Sequence, residues 1–190
     1  MKELKDFPKL IKVQDGLELR FTEPIFENAK ELFSLVVKNR NHLLPYLEWS
    51  HETNTKTAED TFRFLDKTAN EWESQTKFDF GIFHDNNIVG RIGFFKVDLK
   101  TKSCELGYWL DKGSVGKGIV SKCVRAIEKI LFEQLGFNRI VIKCDKNNIE
   151  SAKVALRCGY KQEAELRECR LRVFNNTLTT DLVFAKLKSD

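Results

Sequence analysis

The chain has 190 residues, is 42% hydrophobic and carries 15 Phe, 3 Tyr and 3 Trp, enough apolar material for a sizeable core and best matched by one domain spanning 1–190, its core about 17–187. Its 32 basic and 28 acidic residues are mixed along the chain. A net charge of +4 excludes the dense basic stripe of a nucleic-acid binder, yet still suits an anionic ligand or an acidic partner.

Residues Met1 to Asp15 are polar apart from Leu10-Ile11 and read as a flanking strand or a loose lead-in. Leu17-Glu18-Leu19-Arg20-Phe21 alternates as a strand does. Pro24 opens a helix with Ile25, Ala29, Leu32, Phe33, Val36 and Val37 expected on one side. The stretch from Asn39 to Trp49, with Arg40, His42, Tyr46 and Glu48 inside it, is expected to be short and irregular because Pro45 limits any helix. Such an aromatic-rich loop suits either the wall of a substrate groove or a plug for the core edge.

Thr57 followed by Asp60 reads as a helix N-cap, and Phe62, Leu65, Ala69 and Trp72 mark that helix's face. Phe78 to His84, a turn at Asp85-Asn86-Asn87, Ile88 to Val97, a turn at Lys100-Thr101-Lys102 and Ser103 to Leu110 predict three antiparallel strands in succession.

Gly113-Ser114-Val115-Gly116-Lys117-Gly118 then joins that strand to a strongly periodic helix carrying Ile119, Val120, Cys123, Val124, Ile127, Ile130, Leu131 and Leu135. A glycine-rich turn at a helix N-terminus aims free N–H groups at one point and suits a phosphate, although it also serves as a plain turn. Gly118 after Lys117 departs from the nucleotide-triphosphate loop, and the glycine spacing departs from the dinucleotide fingerprint.

Gly136 ends the helix, and Arg139 to Cys144 must run parallel to the preceding strand because a helix separates them. Asn147-Asn148-Ile149-Glu150-Ser151 enters a short helix with Val154, Ala155 and Leu156 expected inside, closed by Cys158-Gly159-Tyr160. Two strands, Gln162 to Leu171 and Thr177 to Leu187, complete a mixed α/β (α+β) sheet, mostly antiparallel, flanked by helices, whose parallel pair can splay at the glycine loop.

Cys104, Cys123, Cys144, Cys158 and Cys169 lack metal or redox spacing and read as reduced thiols, and His42, His51 and His84 form no metal motif. No signal peptide and no membrane-length apolar run is visible, so a cytoplasmic protein without membrane contact is expected.

The order of these elements, the Glu105-Leu106-Gly107-Tyr108-Trp109-Leu110 strand, the Gly116-Lys117-Gly118 loop, and Asn148-Ile149-Glu150-Ser151 followed by Gly159-Tyr160 resemble the GNAT acetyltransferases. The segment Asn39-Arg40-Asn41-His42-Leu43 with Trp49 is similar to the branch that acetylates the N-terminal amine of ribosomal proteins. The resemblance implies acetyl-CoA as co-substrate, with no metal. Trp109, Leu110, Val115, Gly116, Lys117, Gly118, Ile119, Asn148 and Ser151 would hold it, while Asn39, Arg40, His42, Tyr46 and Trp49 would face the acceptor. Val115 and Val120 depart from the family loop, which has a polar first position and a small last one.

By the same resemblance Glu105 is the first candidate base and Glu168 the second, the backbone N–H near Leu110 polarises the thioester carbonyl, and Ser151 assists the departing thiolate or caps its helix. An acyl-cysteine route through Cys144 or Cys158 lacks a base partner. The acceptor is a protein N-terminus or a small amine such as a polyamine, an amino sugar or an antibiotic. The alternative is a non-catalytic CoA-binding module, and the closing hairpin offers a route to a homodimer.

Overall fold

A computed structural model describes residues 4–172 and 175–190; the first three residues of the expected lead-in lie outside the described residues. The elements are β1 (Leu10–Gln14), β2 (Leu17–Phe21), α1 (Phe26–Leu43), α2 (Ala58–Glu73), β3 (Lys77–His84), β4 (Asn87–Asp98), β5 (Ser103–Leu110), α3 (Ile119–Lys129), β6 (Arg139–Asp145), α4 (Ile149–Arg157), β7 (Lys161–Arg172) and β8 (Thr177–Leu187). The strands form one eight-stranded sheet in the order β1-β2-β3-β4-β5-β6-β8-β7, antiparallel throughout except for the parallel pair β5 and β6.

Local chemistry accounts for the boundaries. Asp85 and Asn86 both take positive φ, the twist a two-residue hairpin needs, and Asn and Asp tolerate it better than other side chains. The Thr57 hydroxyl accepts the Asp60 N–H, while the Asp60 carboxylate accepts the Thr57 N–H in return, so α2 starts with a reciprocal cap. The helix after the glycine loop departs from the expected single run to Leu135: its last turn, Ile130–Gln134, widens to a π-turn, with the Leu135 N–H donating to the Ile130 carbonyl and Gly136 at φ 69° closing it.

Two packed clusters sandwich the sheet. The larger joins Phe78, Phe80, Ile92, Phe94, Leu106, Ile140 and Ile142 to the apolar faces of α3 and α4. The smaller joins α1 and α2, through Ala29, Leu32, Val36, Leu43 and Leu65, to Ile88 and Trp109. Phe78 and Phe94 stack at 4.7 Å between centroids, and Phe7 folds over both, which gives the lead-in a fixed place.

Three sequence expectations are corrected here. Asn39 to Leu43 are not irregular but form the last turns of α1, because Ala29, Leu32, Val36, Asn39 and Leu43 continue one buried stripe at helical spacing. Ile25 and Val37 lie off that stripe and are exposed, at 50% and 47%. Leu156 is likewise exposed, since α4 turns only Val154 and Ala155 inward.

Phe94 is fully buried and touches three rings, those of Phe7, Phe78 and Phe137. Phe94→Ala is expected to lower the unfolding free energy by about 3–5 kcal/mol in chemical denaturation, the usual cost of truncating a core phenylalanine.

Candidate active site

The central strands pair only over Ser103↔Arg139 to Leu106↔Ile142. Beyond that point β5 continues to Leu110 against β4, and β6 continues to Asp145 against β8. The two inner edges separate, and a cleft of about 890 Å³ opens between them. It runs past Leu110, Val115, Gly116, Gly118, Ile119, Asn148 and Ser151. A second cleft of about 810 Å³ lies between α2 and the sheet, lined by Phe64, Arg91, Phe95 and Gly107 among others. Both clefts share Glu105, Tyr108, Trp109, Ser151, Lys96, Lys143, Leu47 and Trp49 as walls, so they meet where the strands part.

The glycine loop fits a phosphate-bearing ligand. Gly116 and Gly118 sit at φ 83° and 72°, which favours glycine, and nothing lies within 4 Å of where a Cβ would stand. Gly118 caps α3 without a side-chain bond, so the first N–H groups of this eleven-residue helix stay open toward the cleft. The Ser121 hydroxyl, buried and without a partner, belongs to the same lining. Lys117 is exposed and outside the lining, Val115 is an exposed part of the wall, and Val120 is packed into the core while touching the cleft.

The Asn148 side chain, and not the Ser151 hydroxyl, caps α4, accepting the Ser151 N–H at 3.1 Å. That hydroxyl lies 3.1 Å from the hydroxyl of Tyr108, a residue the sequence reading did not single out. Burial, ahead of the Ser151 contact that opposes it, pushes the Tyr108 phenol far up, so it stays protonated and is a donor. Its signal was present in the sequence: Tyr108 alternates with Trp109 on the strand that feeds the loop.

Glu105 is held at the junction between Lys96 at 3.0 Å and Lys143 at 3.3 Å. Glu168, the other candidate base, is exposed on β7 at φ 48°, where the β7–β8 register shifts, and does not line either cleft. Of the residues expected to face the acceptor, His42, Tyr46 and Trp49 line the first cleft. Trp49 packs on Trp109 at 5.7 Å, and the Tyr46 hydroxyl reaches across to the Asn147 carbonyl at 3.4 Å.

Asn39 and Arg40 line neither cleft. Asn39 is buried and bonded to the segment after β5, and Arg40 donates to the Ser50 and Thr55 carbonyls, bracing the loop that carries Trp49. On the opposite wall, the fully buried Asp145 carboxylate accepts from Thr179 at 2.6 Å and from Arg172, fixing the closing hairpin to the end of β6.

Burial disfavours the thiolate at four of the five cysteines. Cys144 touches the cleft, but burial pushes its thiol up to about 11, and Cys104 and Cys123 rise to about 12 for the same reason. Cys158 is raised as well. No group of three or more His, Cys, Asp or Glu among the described residues could hold a metal ion, and none of their helices is long and apolar enough to cross a membrane.

A splayed parallel pair, a glycine loop at a helix N-terminus and a second cleft that meets the first at one junction make up the site. The acetyltransferase (GNAT) domain family matches residues 18–161, and the chain belongs to that family as an acetyl-CoA-dependent N-acetyltransferase. Among its relatives, the ribosomal-protein-serine acetyltransferase of Escherichia coli (strain K12) is 32% identical over 159 residues, covering 83% of this chain and 86% of the relative. The RimL ribosomal L7/L12 alpha-N-protein acetyltransferase, solved in complex with coenzyme A, superposes with a TM-score of 0.87 at 25% identity, covering 95% of this chain and 99% of its own. The microcin C7 self-immunity acetyltransferase MccE, solved with acetyl-CoA and AMP, superposes with a TM-score of 0.85 at 25% identity, covering 97% and 99%.

His42 provides a pH test of this wall. Burial, then the Lys112 charge, push its imidazole below the ordinary 6.5, against the Asp111 charge and a hydrogen bond to the Leu110 backbone. In the unfolded chain His42 takes up its proton near 6.5, and in the folded chain only at lower pH. The unfolded state therefore binds more protons as pH falls through that window, and stability is lost there. Denaturation curves between about pH 7 and pH 5 are expected to show a declining unfolding free energy whose slope flattens in His42→Gln.

Proposed function

We propose that the protein transfers the acetyl group to the N-terminal α-amine of a protein, of the kind its ribosomal-protein relatives are named for, and that it does so in the cytoplasm. The observation that carries this reading is the charge balance of the second cleft. Its carboxylates are each matched: Asp60 by Arg63, Glu71 by Lys67 and Lys77, Asp79 by Arg91 and Lys77, and Glu105 by Lys96 and Lys143. An acceptor recognised by multiple positive charges, such as a polyamine, needs surplus acid, and this cleft offers none. An apolar, charge-neutral trough with Phe64, Phe95 and Trp49 along it suits an extended peptide.

Acetyl-CoA brings an already activated thioester, so the residues need only place and deprotonate the amine. An α-amine loses its proton near 7.7–8.0, well below a lysine ε-amine. Lys96 and Lys143, at the junction of the clefts, disfavour a third positive charge there and so favour the neutral amine. Glu105, held between them, takes the proton through water. On the side of α4 the Tyr108 hydroxyl donates to the Ser151 hydroxyl, which in turn donates to the departing thiolate. The inner edge of β5 near Leu110 offers backbone N–H to the carbonyl oxygen.

Thiol release with short peptides bearing free Ser, Ala or Met N-termini, beside spermidine and aminoglycosides, tests the reading. Turnover is expected on peptides, and turnover confined to the small amines would overturn it. With a peptide acceptor, Glu105→Gln is expected to lower kcat by about 10²-fold or more and Tyr108→Phe by less, with coenzyme A affinity unchanged in both.

A further inference from the structure

The strand end that launches the cofactor loop is gripped by one face of α1. Lys38, Asn39 and His42, at spacing i, i+1 and i+4, all reach residues 110–112. Asn39 is 2% exposed and Asp111 6%. The Asn39 amide donates to Asp111 Oδ1 at 2.9 Å, and its carbonyl oxygen accepts the Lys112 N–H at 2.9 Å. Lys38 Nζ reaches the same Asp111 oxygen at 2.9 Å, and the Gly113 N–H donates to the Asp111 carboxylate. The Asp111 main chain is tied as well, its N–H donating to the Val89 carbonyl and its own carbonyl accepting the Ser114 N–H.

This node, with the buried Ser114 whose N–H it accepts, anchors the chain before the exposed stretch from Val115 to Lys117 and the left-handed Gly116 and Gly118. The direction in which the chain leaves it decides where the N–H groups at the start of α3 point. The same helix runs on to His42 in the cleft wall, and Tyr46 follows in the turn just past its end, so one buried pair ties that wall to the cofactor loop.

We infer that Asn39 is a positioning residue for acetyl-CoA: with Asp111 it sets the exit angle of the glycine loop, so that cofactor affinity depends on this pair separately from overall stability. A buried asparagine with no other task would leave affinity alone when replaced in a protein that still folds. The inference concerns the cofactor side only and does not depend on which amine is acetylated.

Calorimetric titration with coenzyme A separates the two roles. Asn39→Ala is expected to weaken coenzyme A binding about tenfold, the equivalent of one lost hydrogen bond to a buried charge. Leu65→Ala, a buried truncation in the same packed cluster but in neither cleft, lowers stability and is expected to leave the affinity unchanged within error. Asp111→Asn preserves shape and serves if Asn39→Ala does not fold; it presents an amide where Lys38 and Gly113 donate and is expected to weaken binding severalfold. Unchanged affinity in the folded Asn39→Ala or Asp111→Asn protein, or an equal loss in Leu65→Ala, would overturn the inference.

Discussion

Past Leu106 and Ile142 the two central strands no longer exchange hydrogen bonds, yet each must keep its other neighbour. Backbone N–H and C=O groups cannot be left dry and unpaired, so the separated edges must face water or a ligand. That requirement turns a defect in the ladder into a binding site. β4 holds one lip as far as Leu110, β8 holds the other as far as Asp145, and loops close the opening only around these two ladder-held edges. A site on strand ends is held more firmly than one on connections alone.

Each lip is secured by a buried carboxylate just where its strand ends. Burial pushes the Asp111 carboxyl up, but hydrogen bonds from Lys38 and Asn39, the Lys38 charge and the Gly113 N–H outweigh it and hold it below the usual range. Asp145 follows the same balance, with Thr179, Arg172 and the Asn147 N–H overcoming burial. A buried charge is tolerated only when its lone pairs are filled, and here the filling groups come from α1 on one side and the closing hairpin on the other. The carboxylates therefore join distant segments of chain to the rim of the cleft.

Between the lips the polar groups divide by face. Glu105 and its two lysines lie where the clefts meet, while Tyr108 and Ser151 bond to each other beside α4. Consecutive strand residues point to opposite sides, so neighbours on β5 can serve different partners across one sheet. Trp109, packed against Trp49, fills the space between.

Much of this was legible in the residues. The strand from Ser103 to Leu110, the glycine loop, the parallel return at Arg139 and the short helix entered from Asn147-Asn148 were all readable, because periodicity and turn chemistry are local. The last turns of α1 were misread: Asn39, Arg40 and His42 look like loop residues until their partners are known, and those partners lie about seventy positions away for Asn39 and ten to fifteen for Arg40. Glu105 read as a base candidate, but its place between Lys96 and Lys143 depends on strand register, and Glu168 was singled out by the family resemblance while the irregular β7 register leaves it outside both clefts. Tyr108 was overlooked because a tyrosine in a strand ordinarily packs, and only the approach of α4 gives it Ser151 as a partner. The sequence by itself determined the elements, their order and the cofactor loop, since these follow from interactions within a few residues. Only the tertiary structure decided which polar side chains line the cleft and which anchor its rim, because that depends on pairings across the sheet between residues far apart in the chain.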